Sequence, residues 1–356
     1  MVRIYPKVLL TIPDRIGVSG QYEYLRHILM EAERSDVDVD IHALDSLKIP
    51  RVARFFAAGG WINTAIMMIL YIRRLVNSLP GFDVVHLFHV TGTSFVLEVL
   101  PVILLARFFG KRVILEYPDP IPLSRLGARS LFVPKVWRLC HEVVVPSRYQ
   151  QQVVNMFGGR GRYVQPYSDT GRIKARVVAN VQPKIVVVAP LEKESNIPAV
   201  IRACRLVKQK YPRTELVVIG DGVLRAPLEH LAEAELIGSV EFVGDLDQPE
   251  RHRLFESCDI YVNCSSIDHL SAAIAEAFAF GLPVLSTPIA GANAGLRDRE
   301  NIIHLRFGDH ISLADRIIEL VEDSALTEKL SRNGVETARR ICENHPTGER
   351  LQLYSR

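Results

Sequence analysis

Short runs of β-branched and apolar residues alternate with helix-period segments along the whole chain, and no long strand-only region interrupts them. KVLLTI at 7–12, DVVHLF at 83–88, KIVVVA at 184–189, ELVVIG at 215–220 and VEFVG at 240–244 are such runs. A strand buried on both faces reads as continuously apolar, and parallel neighbours need a crossover, so this alternation predicts parallel sheets covered by helices on each side. Five or more strand and helix units in each half predict an α/β chain of two doubly wound, Rossmann-like domains. A length of 356 residues accommodates two domains of about 150 residues. The boundaries predicted are 1–170, a linker over 171–183, a second domain over 184–335 and a closing segment over 336–356. The linker carries three basic residues and no periodic apolar face, which predicts an exposed connection.

Composition excludes several classes. At 48% hydrophobic and 23% charged the chain is ordinary globular material. Its five cysteines, at 140, 204, 258, 264 and 342, form no C-x-x-C pair, so neither a zinc site nor a disulfide framework is indicated. A reduced, cytoplasmic setting is expected. Trp61 to Ile72 and Val99 to Phe109 are too short to span a bilayer, and the N-terminus lacks a charged-then-apolar leader. Net charge is +3, but residues 1–180 hold 23 basic and 14 acidic residues, +9, against −6 for the rest. Either a solvated face or a surface for anionic lipid or acceptors accounts for that asymmetry. No nucleic acid is expected as a partner.

The stretch with the most chemistry is DIYVNCSSIDHLSAAIAEAFAFGLPVLSTP, Asp259 to Pro288. It reads as strand, polar loop, helix from near Leu270, a Gly281 and Pro283 stop, and strand. In an open parallel sheet the helix N-terminus faces the crevice at the carboxyl ends of the strands, where unpaired amides attract an anion. Glu276 follows Asp268 by eight positions, so one carboxylate lies in the loop and the other within the helix.

This stretch resembles the signature of retaining, nucleotide-sugar-dependent glycosyltransferases of family 4, in which two Glu flank seven other residues. The resemblance implies the GT-B fold: two Rossmann-like domains facing each other across a cleft. It makes Asp268, with the amides of Leu270, Ser271 and Ala272, the holder of sugar and diphosphate, and Glu276 the ligand of the ribose hydroxyls. Here the first acid is Asp, followed by His269, Leu270 and Ser271 where the family commonly has Gly-Phe-Gly. The family's paired Arg and Lys, which neutralise the diphosphate, reduce to Lys193, with Pro190 at the Arg position. Asp268 and Lys193 are thus the catalytic candidates. Gly20, in the loop after the first strand, matches the family's diphosphate border, a plain turn glycine being the alternative. Gly244 ends the strand that borders the base, and Gly220, Asp221 and Gly222 match a tight turn. Where many members carry a histidine after the fourth strand of the first domain, this chain has Glu116, Tyr117 and Asp119. His86 and His89 read as structural histidines.

The resemblance implies transfer of a sugar from a UDP- or GDP-linked donor to a glycan, lipid-linked or small-molecule acceptor with retention, needing no metal and no cofactor beyond the donor. A non-catalytic partner subunit, or another GT-B enzyme such as a nucleotide-sugar epimerase, is the alternative. The last helix is expected to cross onto the first domain, with Leu351, Leu353 and Tyr354 docking it. PLSRLGARSLFVPKVWRL, Pro122 to Leu139, interleaves Arg125, Arg129, Lys135 and Arg138 with Leu, Phe and Trp. That pattern suits either peripheral contact with an anionic membrane or core packing with a wet basic rim.

Overall fold

In the computed structural model the chain is described over residues 6–12, 40–45, 72–73, 75–88, 95–117, 132–164, 173–236, 238–266, 272–288, 295–343 and 352–354. They divide into two compact units, one of residues up to 164 together with 352–354, the other of 173–343.

The first unit holds β1 (Lys7–Ile12), β2 (Asp40–Asp45), β3 (Val84–Phe88), α1 (Phe95–Phe108), β4 (Arg112–Glu116), α2 (Phe132–Leu139), β5 (Glu142–Val145), α3 (Arg148–Met156) and β6 (Gly161–Tyr163). The strands form one parallel sheet in the order β2-β1-β3-β4-β5-β6. Side chains alternate across it with period two. Leu9, Val85, Val113, Leu115, Val143 and Val145 pack on one face with Val102, Ile103 and Trp137 from the helices. Val8, Leu10, Val84, Ile114 and Val144 face the other way, where Leu353 and Tyr354 from the far end of the sequence complete the core. His86 lies on that second face, bonded through Nδ1 to the Tyr354 hydroxyl at 2.8 Å and through Nε2 to Glu116 at 3.2 Å. It is a satisfied structural histidine, whereas His89 and Asp119 lie outside the described residues.

In α2 the proline falls in the first turn, where a missing N–H costs nothing. Trp137 is core, edge-on to Tyr117 and Phe157, while Lys135 and Arg138 are exposed. Trp137, one of the two aromatic residues of the proposed membrane face, is therefore unavailable to a membrane. Amphipathicity here serves the sheet, because Val136 and Trp137 close its helix-covered side. Arg125 and Arg129 lie outside the described residues.

The second unit runs β7 (Lys184–Val188), α4 (Ile197–Lys210), β8 (Glu215–Ile219), α5 (Arg225–Leu236), β9 (Val240–Gly244), α6 (Gln248–Ser257), β10 (Ile260–Asn263), α7 (Ala272–Ala279), β11 (Val284–Ser286), β12 (Ile303–His304), α8 (His310–Glu322) and α9 (Ser324–Glu343). Its parallel sheet is ordered β12-β11-β10-β7-β8-β9. The chain winds outward from β7 to β9, then returns beside β7 as β10 and winds the other way. The switch between β7 and β10 opens a crevice at their carboxyl ends.

Two expectations are corrected. The 171–183 segment is not simply an exposed connection, because Val178 and Val181 are buried in the second core. Its backbone is held as well: the Arg176 amide donates to the Phe280 carbonyl at 3.4 Å and the Val178 amide to Ser331 Oγ at 3.0 Å. Spaced valines anchor an irregular segment that no helical or strand period reveals. The last long helix also begins earlier than 336 and stays in the second unit. Gly334 of α9 lies against Phe278 of α7, so within the closing segment it is 352–354 that packs in the first unit. Among the described residues no helix is long and apolar enough to cross a membrane.

Candidate functional site

The loops that leave the carboxyl ends of β7 to β11 are knitted together by backbone bonds. The Leu191 amide donates to the Asp221 carbonyl at 2.9 Å, and the Leu224 amide to the Leu191 carbonyl at 3.0 Å. Gly222 permits this approach, because a Cβ there would lie 2.7 Å from the Leu191 oxygen. Across the switch point the Ser266 amide donates to the Glu194 carbonyl at 2.8 Å, and Thr287 Oγ1 to the Ser265 carbonyl at 2.6 Å. The crevice floor is thus a fixed frame of main chain, with few side chains committed to it.

Lys193 stands on this frame. It opens the single 3-10 turn Lys193–Ser195 after β7, which Asn196 closes in the left-handed conformation at φ 51°. Its side chain is exposed and makes no ion pair among the described residues, leaving the ammonium available to an anion at the switch point. Gly244 ends β9 and accepts from the Gly220 amide at 2.8 Å. Burial and the neighbouring Asp221 push the carboxyl of Asp245, the next residue, upward.

Ala272 is the first described residue of α7, whose residues from Ala273 to Ala279 are all buried. A helix apolar all round belongs inside a core. It ends in a Schellman turn, with the Leu282 amide on the Ala277 carbonyl at 3.0 Å and the Gly281 amide on Phe278 at 2.9 Å. Gly281 has φ 75°, and a Cβ there would collide with the Arg176 carbonyl, so only glycine serves.

Glu276 is the one charged residue of α7 and is 1% exposed. Its Oε2 accepts from Arg251 Nε at 2.8 Å, and its Oε1 from Arg251 NH2 at 3.0 Å and from Gln248 Nε2 at 3.3 Å. His252 Nε2 lies 3.8 Å from Oε2, beyond hydrogen-bond reach, and has no hydrogen-bond partner. Burial alone would push this carboxyl up; interaction with His252 and the bonds and charge of Arg251 outweigh it and hold it at about 2. Given the distances, the two short Arg251 bonds do most of this.

The structure thus places Lys193, Gly244, Ala272 and Glu276 in one unit, at or near the carboxyl ends of one sheet. Gly20, Asp268, Leu270 and Ser271 lie outside the described residues. Arg251 and Gln248 escaped the sequence reading. The signal was present: Arg251 shares the helical spacing of Leu254, Phe255 and Cys258, and an arginine on the apolar face of a helix needs a buried partner. Among the described residues no group of three or more His, Cys, Asp or Glu side chains could hold a metal ion.

Residues 171–337 match the sequence pattern of the glycosyl transferases group 1. A curated relative, the lipopolysaccharide core biosynthesis glycosyltransferase LpsE of Rhizobium meliloti, is 30% identical over 188 residues, 49% of this chain and 52% of that protein. The chain spans about half the length of the curated relatives it matches. Among solved structures, HepE of Anabaena in complex with UDP and glucose superposes with a TM-score of 0.72 at 15% identity, covering 99% of this chain and 100% of that one. Sucrose-phosphate synthase of Thermosynechococcus elongatus does so at 0.74 and 16% identity, covering 98% of each. These likenesses establish the GT-B fold.

Proposed function

We propose that the protein is a glycosyltransferase that moves a hexosyl or related sugar from a UDP- or GDP-linked donor to a glycan or lipid-linked acceptor, with retention of configuration. The observation that carries this reading is the coincidence of the family match with a strand-end frame that presents Lys193 at the switch point beside the loop leading to α7. LpsE, named for lipopolysaccharide core biosynthesis, and HepE, solved with UDP and glucose, support the acceptor and donor classes.

On this reading the bond between the anomeric carbon and the diphosphate oxygen breaks, and the nucleoside diphosphate leaves with the electron pair. The acceptor oxygen bonds the same carbon on the same face, and its proton passes to the departing phosphate. Lys193 and the amides at the start of α7, from Leu270 to Ala272, offset the charge that gathers on the leaving group. No metal or further cofactor is then required. Asp268 holds the sugar, and Glu276 takes a ribose hydroxyl. Gly20 borders the diphosphate, and Gly244 at the end of β9 lies against the base through its backbone.

A second reading, a donor-binding partner subunit without catalysis, draws on Pro190, which stands where the family has an arginine. Calorimetric titration with UDP, GDP and ADP tests the common premise: binding of at least one is expected, and no binding at millimolar nucleotide would refute both readings. Donor hydrolysis with and without acceptor separates them. In the enzyme, Lys193→Ala should lower kcat about a hundredfold while leaving KM within a few-fold, because its charge matters most as the phosphate departs.

A further inference from the structure

A carboxylate that is to accept a nucleotide hydroxyl must be ionised, aimed and left with an acceptor position in reserve. Glu276 receives three donors from α6, two from Arg251 and one from Gln248. A carboxylate offers about four acceptor positions, so one remains on Oε2, the oxygen that His252 Nε2 approaches without bonding. We propose that Arg251 is a positioning residue for the donor nucleotide: its two-pronged bond fixes the plane and rotamer of the Glu276 carboxylate, keeps it ionised, and leaves one Oε2 position for a ribose hydroxyl. The inference rests on the nucleotide-sugar reading above and deepens it.

The geometry singles out arginine. A planar fork that meets both oxygens of one carboxylate, at 2.8 and 3.0 Å, sets its orientation, which a lysine ammonium does only as a point charge. Arg251 is itself buried, and its NH1 donates to the Leu246 carbonyl at 3.4 Å, so the fork is anchored to the turn that leads from β9 into α6. The ionisable groups that act on Glu276 among the described residues are Arg251 and His252, both of α6. Among the described residues, α9 sets Gly334 against Phe278 of α7, and β10 and β11 carry uncharged side chains. Remove the guanidinium and burial is opposed by His252 alone, without the two short bonds, so Glu276 takes up a proton at a higher pH than in the wild type. A protonated carboxyl is a poorer acceptor for the ribose, and nucleotide affinity becomes pH-dependent.

The test is calorimetric titration of the full chain with UDP, with GDP and ADP in parallel, between about pH 5.5 and 8.5. Wild type should bind with an affinity constant within about twofold across that range. Arg251→Met should lose about tenfold at the acid end and recover most of it at the alkaline end. Arg251→Lys, which keeps the charge without the fork, should show a shallower slope, and Glu276→Gln should bind weakly with no slope. A flat Arg251→Met profile matching wild type would overturn the inference. Should that variant fail to fold, as circular dichroism would show, Arg251→Met in the Glu276→Gln background removes both charges of the pair. There the arginine change should add nothing to the loss, and a further loss would overturn the inference equally. Failure of wild type to bind any of the three nucleotides defeats the functional reading itself, whereas binding by wild type with a flat Arg251→Met profile defeats this inference alone.

Discussion

Arg251 and Glu276 are a buried ion pair, and removing one partner leaves the other charge stranded. Glu276→Gln should therefore destabilise the second unit by about 3–5 kcal/mol at neutral pH, read from denaturant midpoints. The pH dependence has a definite sign. Glu276 is depressed from 4.5 to about 2 in the folded chain, so its contribution is full above about pH 4.5 and is lost as the pH falls toward 2. The gap between wild type and Glu276→Gln should narrow between those limits, and a gap that stays constant or widens in acid would contradict the assignment. That Lys193 lies in the loop after a strand and Glu276 within a helix was legible in the sequence, because strand, loop and helix signals are local; the roles assigned to them came from the family resemblance. Their environments were not legible. The Glu276 partner lies 25 positions earlier on another helix, and no periodicity within either helix states that the two will meet.

At the level of elements, both sheets were legible because parallel strands buried on two faces leave continuous apolar runs, and each predicted run examined above is a strand or leads into one. What the runs do not carry is which distant segment covers which face. The second face of the first sheet illustrates this, since Leu353 is fully buried and Tyr354 is 3% exposed there. The sequence marks both as apolar, and the family resemblance alone suggested where they dock. Leu353→Ala should cost about 2–5 kcal/mol through the cavity it leaves. Tyr354→Phe, which strips His86 Nδ1 of a 2.8 Å partner, should cost about 1–3 kcal/mol. Hydrogen exchange of β1, β3 and β4 amides reports both, and unchanged protection there would mean that the segment is not part of that core. The 171–183 segment failed differently: Val178 and Val181 are too few to set a period and gain their role from contact with the second core.

For the molecule as a whole, charge is unevenly divided, +9 over residues 1–180 against −6 beyond. On the proposed function this favours an acceptor carried on an anionic membrane. Each basic side chain near such a surface is worth about 1 kcal/mol, so Arg125, Arg129, Lys135 and Arg138 together should hold the protein on vesicles at low salt and release it at high salt. Flotation with phosphatidylglycerol vesicles should recover wild type in the lipid fraction and leave the fourfold Gln variant behind. Equal recovery of the two would point to an acceptor in solution. The tail residues Leu353 and Tyr354 also set the order of assembly in the cell. They follow the entire second unit in sequence yet pack in the core of the first, so during translation the part of the first sheet's face that they cover stays open until the second unit has been synthesised. The N-terminal half, made first, thus gains its last core residues only after the second unit is made, and for that interval it keeps an apolar patch open to misassembly.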